Sequence, residues 1–263
     1  MDEKMVAHAA YDDVDPQIRN ISVTDLKDVL AGGLSDFAAH PTHRVFLSLI
    51  FPVAGFFMIR MTMNYDVWSL IIPLAAGFAL IGPFAAIGMY GLSRRHENFP
   101  AVTWRGSMDA FRSASLGSIL VLGIILTAIF LGWVYAAQAI YNSTFAGAVA
   151  ADTTALLSQL VSTSEGWSML LIGNAVGFVF AVVVLSISVI SFPLLIDHHV
   201  SLGTAVRTSV RAVMANPVTM LTWGLIVGVA LFLCSLPFFV GLAVVFPVLG
   251  HSTWHLYRKI VDI

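Results

Sequence analysis

Eight histidines are the side chains whose types and spacing come closest to a chemical pattern in this 263-residue sequence. His251 and His255 stand four apart, so a helix places both imidazoles on one face, where they can share a transition metal. Asp197, His198 and His199 form a second group, with Asp197 as the carboxylate that completes or orients such a site from behind its ligands. His96 and Glu97 form a third. The other reading is that these histidines cap helix C-termini at an interface, where partial positive charge is favourable. Beyond such a metal no cofactor is expected.

Other chemistry is missing from the sequence. It contains no Gly-x-Ser-x-Gly and no His-Glu-x-x-His, and Gly77, Gly82, Gly88 and Gly91 lack the spacing of a phosphate loop. One cysteine, Cys234, excludes an intrachain disulfide and a multi-cysteine cluster. A haem-copper oxidase core needs several histidines deep in the bilayer, and none falls at the centre of an apolar run here, which excludes the catalytic oxidase subunit. A non-enzymatic protein is expected.

The elements that must carry these residues are apolar. Hydrophobic residues make up 58% of the chain and charged residues 11%, against about 25% charged in a soluble domain. So few charges cannot cover a water-facing surface, whereas a lipid-facing surface needs none. A net charge of −2 leaves no basic excess for nucleic acid. The acidic N-terminus, with Asp2, Glu3, Asp12, Asp13 and Asp15, does not resemble a signal peptide, and no lipidation motif is present.

A span needs about 20 apolar residues. The qualifying stretches are Val45–Met63, Val67–Leu92, Leu116–Tyr141 and Trp167–Ile196, followed by a run from Val218 to Tyr257 that divides at Cys234-Ser-Leu-Pro237 because proline belongs in the first turn of a helix. The fold class is therefore all-α, with six transmembrane helices. With six spans, twelve of the thirteen Lys and Arg fall on one side, and Arg60 alone falls on the other. The loop from Asn142 to Glu165 carries neither. Basic residues stay cytoplasmic, so both termini are expected there.

Residues 1–22 read as a polar tail and 23–263 as one membrane domain with a threefold repeat, at about 23–97, 98–199 and 200–259. Aligning Pro41 on Pro217 matches Leu26 with Leu202, Leu30 with Val206, Leu34 with Val210 and Phe37 with Val213, one apolar helical face in each copy. Thr24 and Ser201 are the expected N-caps. Val102–Arg112 is the middle copy without the proline. Pro83–Arg95 aligns on Pro247–Lys259, matching Tyr90 with Trp254, Leu92 with Leu256 and Arg94 with Arg258, and Pro193 sits similarly. Each copy thus reads as a short cytoplasmic interfacial elbow followed by a hairpin of two spans.

No Asp, Glu, Lys or Arg falls in the middle of a span, although coupled transporters usually carry one. Asn174 is the most polar deep residue, joined by Thr127, Ser186, Ser188 and Ser191. Interhelical hydrogen bonds are the first expectation for these, and a polar path between hairpins at Asn174 is the alternative. Gly173 with Gly177 and Gly224 with Gly228 have the spacing for close helix packing.

Phe192-Pro-Leu-Leu-Ile-Asp-His-His-Val-Ser201, Ala205–Arg211, Asn216-Pro217 and Phe246–Arg258, together with the earlier Gly-Leu-Ser-Asp-Phe at 33–37, resemble the bacterial integral-membrane family catalogued as domain of unknown function 2189. The resemblance implies a multi-pass protein of the bacterial inner membrane without an established activity. Some members are labelled cytochrome c oxidase subunits. The expected partners are the bilayer and other subunits of a membrane complex. A scaffold, stabiliser or assembly partner is the first expectation for function, a small-solute transporter or channel the alternative, and a metal-binding protein the third.

Overall fold

The computed structural model describes residues 16–39, 82–98, 115–145, 153–235 and 241–263. The first expected span, the middle elbow and most of the second span lie outside them. Among the described residues the chain is helical apart from one two-residue strand pair.

Helix α1 covers Asp25–Ala39. The Asp25 carboxylate accepts hydrogen bonds from the Ser22 backbone N–H at 2.8 Å and the Ser22 hydroxyl at 2.7 Å. That is the reach-back half of a capping box, so the cap lies one half-turn before the expected Thr24. These bonds, with Lys259 adding its attraction, hold Asp25 down to about 2. Helix α2 (Gly82–Ala85) leads into α3 (Ile87–Asn98). Helix α4 runs for 30 residues, Leu116–Phe145, a rod of about 45 Å at 1.5 Å per residue.

The described residues of the expected outer loop are largely helical. α4 extends into it, and α5 (Thr153–Ser162) folds onto α6 (Ser164–Ser188). Thr163 caps α6 by accepting from Gly166 N–H at 2.9 Å. A Cβ on Gly166 would sit 2.3 Å from the Gln159 carbonyl oxygen, so this corner closes only around glycine. The fourth span then breaks, and α7 covers Ser191–Asp197. Pro193 has no N–H for the Val189 carbonyl, which interrupts the helical ladder. Ser209 accepts from Ile190 N–H at 3.2 Å, and the Ser191 hydroxyl donates to Ile187 O and Ala205 O.

Helix α8 (Leu202–Ala215) starts at Ser201, whose hydroxyl accepts from Thr204 N–H at 3.0 Å as the sequence predicts. Helix α9 is Pro217–Ser235, and α10 is Leu242–Ile260 with Pro247 inside it. The long apolar run is therefore two helices, and Gly241 packs so close to Cys234 that a Cβ would meet its carbonyl oxygen at 2.6 Å. Among the described residues three stretches are long and apolar enough to cross a membrane: α4, the α6–α7 run and α9. They coincide with expected spans three, four and five.

Helix α10 is the central post. Most of its residues are buried, and it packs against α1, α3 and α9. Trp223, Trp254, Tyr90 and Phe192 are among the large side chains closed inside this core. After α10 the chain forms β2 (Val261–Asp262), which pairs antiparallel with β1 (Gln17–Ile18). The segment preceding α1 and the segment following α10 therefore lie side by side.

The expected apolar face of α1 requires one correction. Its buried residues are Leu26, Val29, Gly33 and Asp36, whereas Leu34 is 56% exposed. The helix is turned away from the Leu26, Leu30, Leu34, Phe37 stripe because a glycine and a carboxylate, rather than leucines, face α10. In α8 the buried set is Ala205, Thr208, Ser209, Ala212 and Val213, while Val206 and Val210 are only half buried. Small side chains let each elbow approach the protein closely, which leaves much of the apolar stripe to the surroundings.

Candidate functional site

Asp36 is a carboxylate with 4% exposure on a helix packed against α10. Such a group persists only if hydrogen bonds replace its lost hydration. Ser93 of α3 donates its hydroxyl to Asp36 Oδ2 at 2.5 Å, and His255 of α10 places Nε2 on the same oxygen at 3.1 Å. His251, one turn back on α10, sets Nδ1 2.7 Å from Ser93 Oγ and 3.9 Å from Asp36 Oδ2.

The proton positions follow from counting donors. Ser93 has one hydroxyl proton and gives it to the carboxylate, so the bond from His251 runs from Nδ1–H to Ser93 Oγ. His255 donates through Nε2–H. Burial pushes Asp36 up, but the bonds from His255 and Ser93 and the attraction of both imidazoles prevail, holding its carboxyl below the ordinary value. Helices α1, α3 and α10 are thus joined at a single carboxylate oxygen.

A second acid gathers the remaining ends. Asp197, the last residue of α7, receives Arg94 Nε at 3.1 Å, Arg258 Nη1 at 3.1 Å and the Tyr257 hydroxyl at 2.9 Å. Arg94 also donates to the carbonyls of Ile196 and Asp197 at 2.7 and 3.0 Å. Glu97 takes Arg258 Nη2 at 2.7 Å and the indole N–H of Trp254 at 2.8 Å. The Arg258 guanidinium stands 5.6 Å from the centre of the Trp254 ring. Outside this rim, Lys259 bridges Asp25 and Asp28, and Arg19 pairs with Asp262.

The histidines named from sequence are therefore divided. His251 and His255 share Asp36, while His198 lies 3.4 Å from Asp197. His199 is half buried beside them. Asp197 accepts its bonds from arginines and a tyrosine, and among the described residues no group of three or more His, Cys, Asp or Glu is arranged to hold a metal ion. Asp36 and Ser93 were missed as partners of the histidines. The available signal was an acid sharing a helical face with Leu26, Val29 and Gly33.

The glycine pairs and Asn174 have definite surroundings. A Cβ on Gly177 would meet the Trp133 ring at 3.1 Å and one on Gly224 would meet Leu185 at 3.3 Å, whereas Gly173 and Gly228 have open space. Asn174 lies on an exposed face of α6, and its amide donates to Leu170 O at 2.7 Å. The helix itself satisfies that polar group.

No curated protein and no solved structure matches the chain. The family model described as "Predicted integral membrane protein (DUF2189)" matches residues 71–197, a segment that takes in α2 to α7 with Ser93, Arg94, Glu97 and Asp197. Asp36, His251 and His255 lie outside the match, as do the motifs after residue 197. Residues 71–197, just under half of the chain, are thus similar to the family of predicted integral membrane proteins designated DUF2189.

Proposed function

We propose that this integral membrane protein is a non-enzymatic scaffold or stabilising partner of a complex in the bacterial inner membrane. The observation that carries this is how its polar groups are used. Asp36, Ser93, Asp197, Glu97, Arg94 and Arg258 bond to one another and tie helix ends together. The outward faces of α4, α6 and α9 meanwhile present Ile124, Tyr135, Leu171, Phe178, Leu225 and Phe232. A closed polar knot beneath apolar faces suits assembly in the bilayer. Purification at native expression level should return a defined stoichiometric complex, which crosslinkers placed at Tyr135 or Phe178 capture. Solute flux through proteoliposomes of the chain alone would instead establish the transporter alternative and defeat the scaffold.

We further propose six spans with both termini cytoplasmic, arranged as three related hairpins. Pairing of Gln17–Ile18 with Val261–Asp262 supports an even number of crossings, because hydrogen-bonded strands share one side of a membrane. Two observations support the repeat: the corresponding Val29 and Ala205, and Gly33 and Ser209, are all buried, and the corresponding Arg94 and Arg258 both bind Asp197. In a Cys234→Ser background, an impermeant maleimide should label Ser162→Cys in intact cells. Ile263→Cys should react only after permeabilisation, and the reverse pattern would refute the orientation.

A further inference from the structure

We propose that α3 and α10 form a carboxylate-recognition site that the chain fills with its own Asp36, so that α1 is seated as an internal ligand. Among the described residues, the donors of this cluster belong to α3 and α10, and the anion belongs to α1. Ser93 and His255 both aim at Oδ2, and His251 supports Ser93 from behind. The site also holds more donor capacity than Asp36 uses. Ser252 is wholly buried, and its hydroxyl has no hydrogen-bond partner. It faces Gly33, one helical turn before Asp36, where a Cβ on that glycine would come within 1.9 Å of Ser252 Oγ. Burying a hydroxyl without a partner is unfavourable, so Ser252 marks donor capacity left unused in this site.

The two glycines explain how the ligand is delivered. Gly32 lies against the His255 ring and Gly33 against the backbone of α10. α1 thus has no side chain at its crossing point, and the carboxylate three residues on is what it inserts. A free carboxylate of similar size competes for the same donors, but Asp36 prevails in the intact chain because its tether gives it a high effective concentration.

The test uses the full chain in lipid nanodiscs, with formate and acetate as probes against chloride at equal ionic strength. Asp36→Ala should lower the melting temperature, and formate should restore more than half of the loss, with chloride restoring none. Wild type should not respond, since its site is already filled. Asp36→Asn fills the space without the charge, so it should lose stability and ignore formate. An alanine variant that formate helps no more than chloride overturns the proposal, as does an asparagine variant as stable as wild type. If the alanine variant cannot be purified folded, the asparagine variant decides: loss of stability supports carboxylate recognition, and parity refutes it.

Discussion

Replacing Gly33 with valine is expected to destabilise the protein by about 3 kcal/mol, the upper end of the usual cost of overpacking. A Cβ at this position would meet Ser252 Oγ at 1.9 Å, Ser252 N at 2.6 Å and Val248 O at 2.7 Å. The hydroxyl can rotate away, but two backbone atoms of a buried helix cannot, so α1 must lift from α10. Lifting it withdraws Asp36 from Ser93 and His255, and the loss propagates into the polar cluster. Alanine recovers about 1 kcal/mol of helix propensity yet keeps the backbone clash, so Gly33→Ala should also be net destabilising. Gly88→Ala is the control: nothing lies within 4 Å of its Cβ, and it should be neutral or stabilising. Denaturant unfolding of the three variants in one detergent checks this, and a Gly33→Val protein as stable as wild type would show that α1 does not pack on α10.

The second large effect is expected at Asp197. Removing one partner of a fully buried ion pair costs about 3–5 kcal/mol, and an exposed pair about 0–1. Asp197 has 9% side-chain exposure, while Arg94 and Arg258 have 44% and 46%. Solvent therefore takes over part of what the carboxylate supplied to the arginines but cannot easily reach the Tyr257 hydroxyl. Asp197→Ala should cost about 2 kcal/mol, between those limits. Asp197→Asn keeps an acceptor for Tyr257 and should cost about 1 kcal/mol. A double-mutant cycle provides the sharper check, because Arg94→Ala should cost less once the Asp197 carboxylate is gone, the remaining loss being that of its bonds to the backbone carbonyls at 196 and 197. Additive losses would mean that the two residues do not act through each other.

Much of the architecture was legible in the sequence because hydrophobic length is a local property. Leu116–Tyr141 and Pro217–Ser235 cannot be other than apolar helices, and a proline after Cys234 announces where the long run divides. Ser201 was readable as a cap because capping needs only a hydroxyl next to the first turn. The break at Val189–Ile190 was half legible: Pro193 signals it, but the Ser209 hydroxyl that accepts from the Ile190 N–H comes from another helix. The rotation of α1 was not legible, since Leu30 and Leu34 form the better apolar stripe and nothing local says that Leu34 stays outside the protein core.

The histidines show the same division. Their spacing placed His251 and His255 on one face, and they do act together. Their partner was sought at Asp197, the acid adjacent to other histidines in the chain, whereas it is Asp36, more than two hundred residues away. Spacing within a helix follows from its 3.6-residue period, so sequence alone determined which imidazoles share a face, which stretches are apolar and where they break. Which acid meets those imidazoles depends on how closely two helices approach. That was decided by Gly33 against Ser252 and by the pairing of the two chain ends, contacts between residues that no local pattern connects.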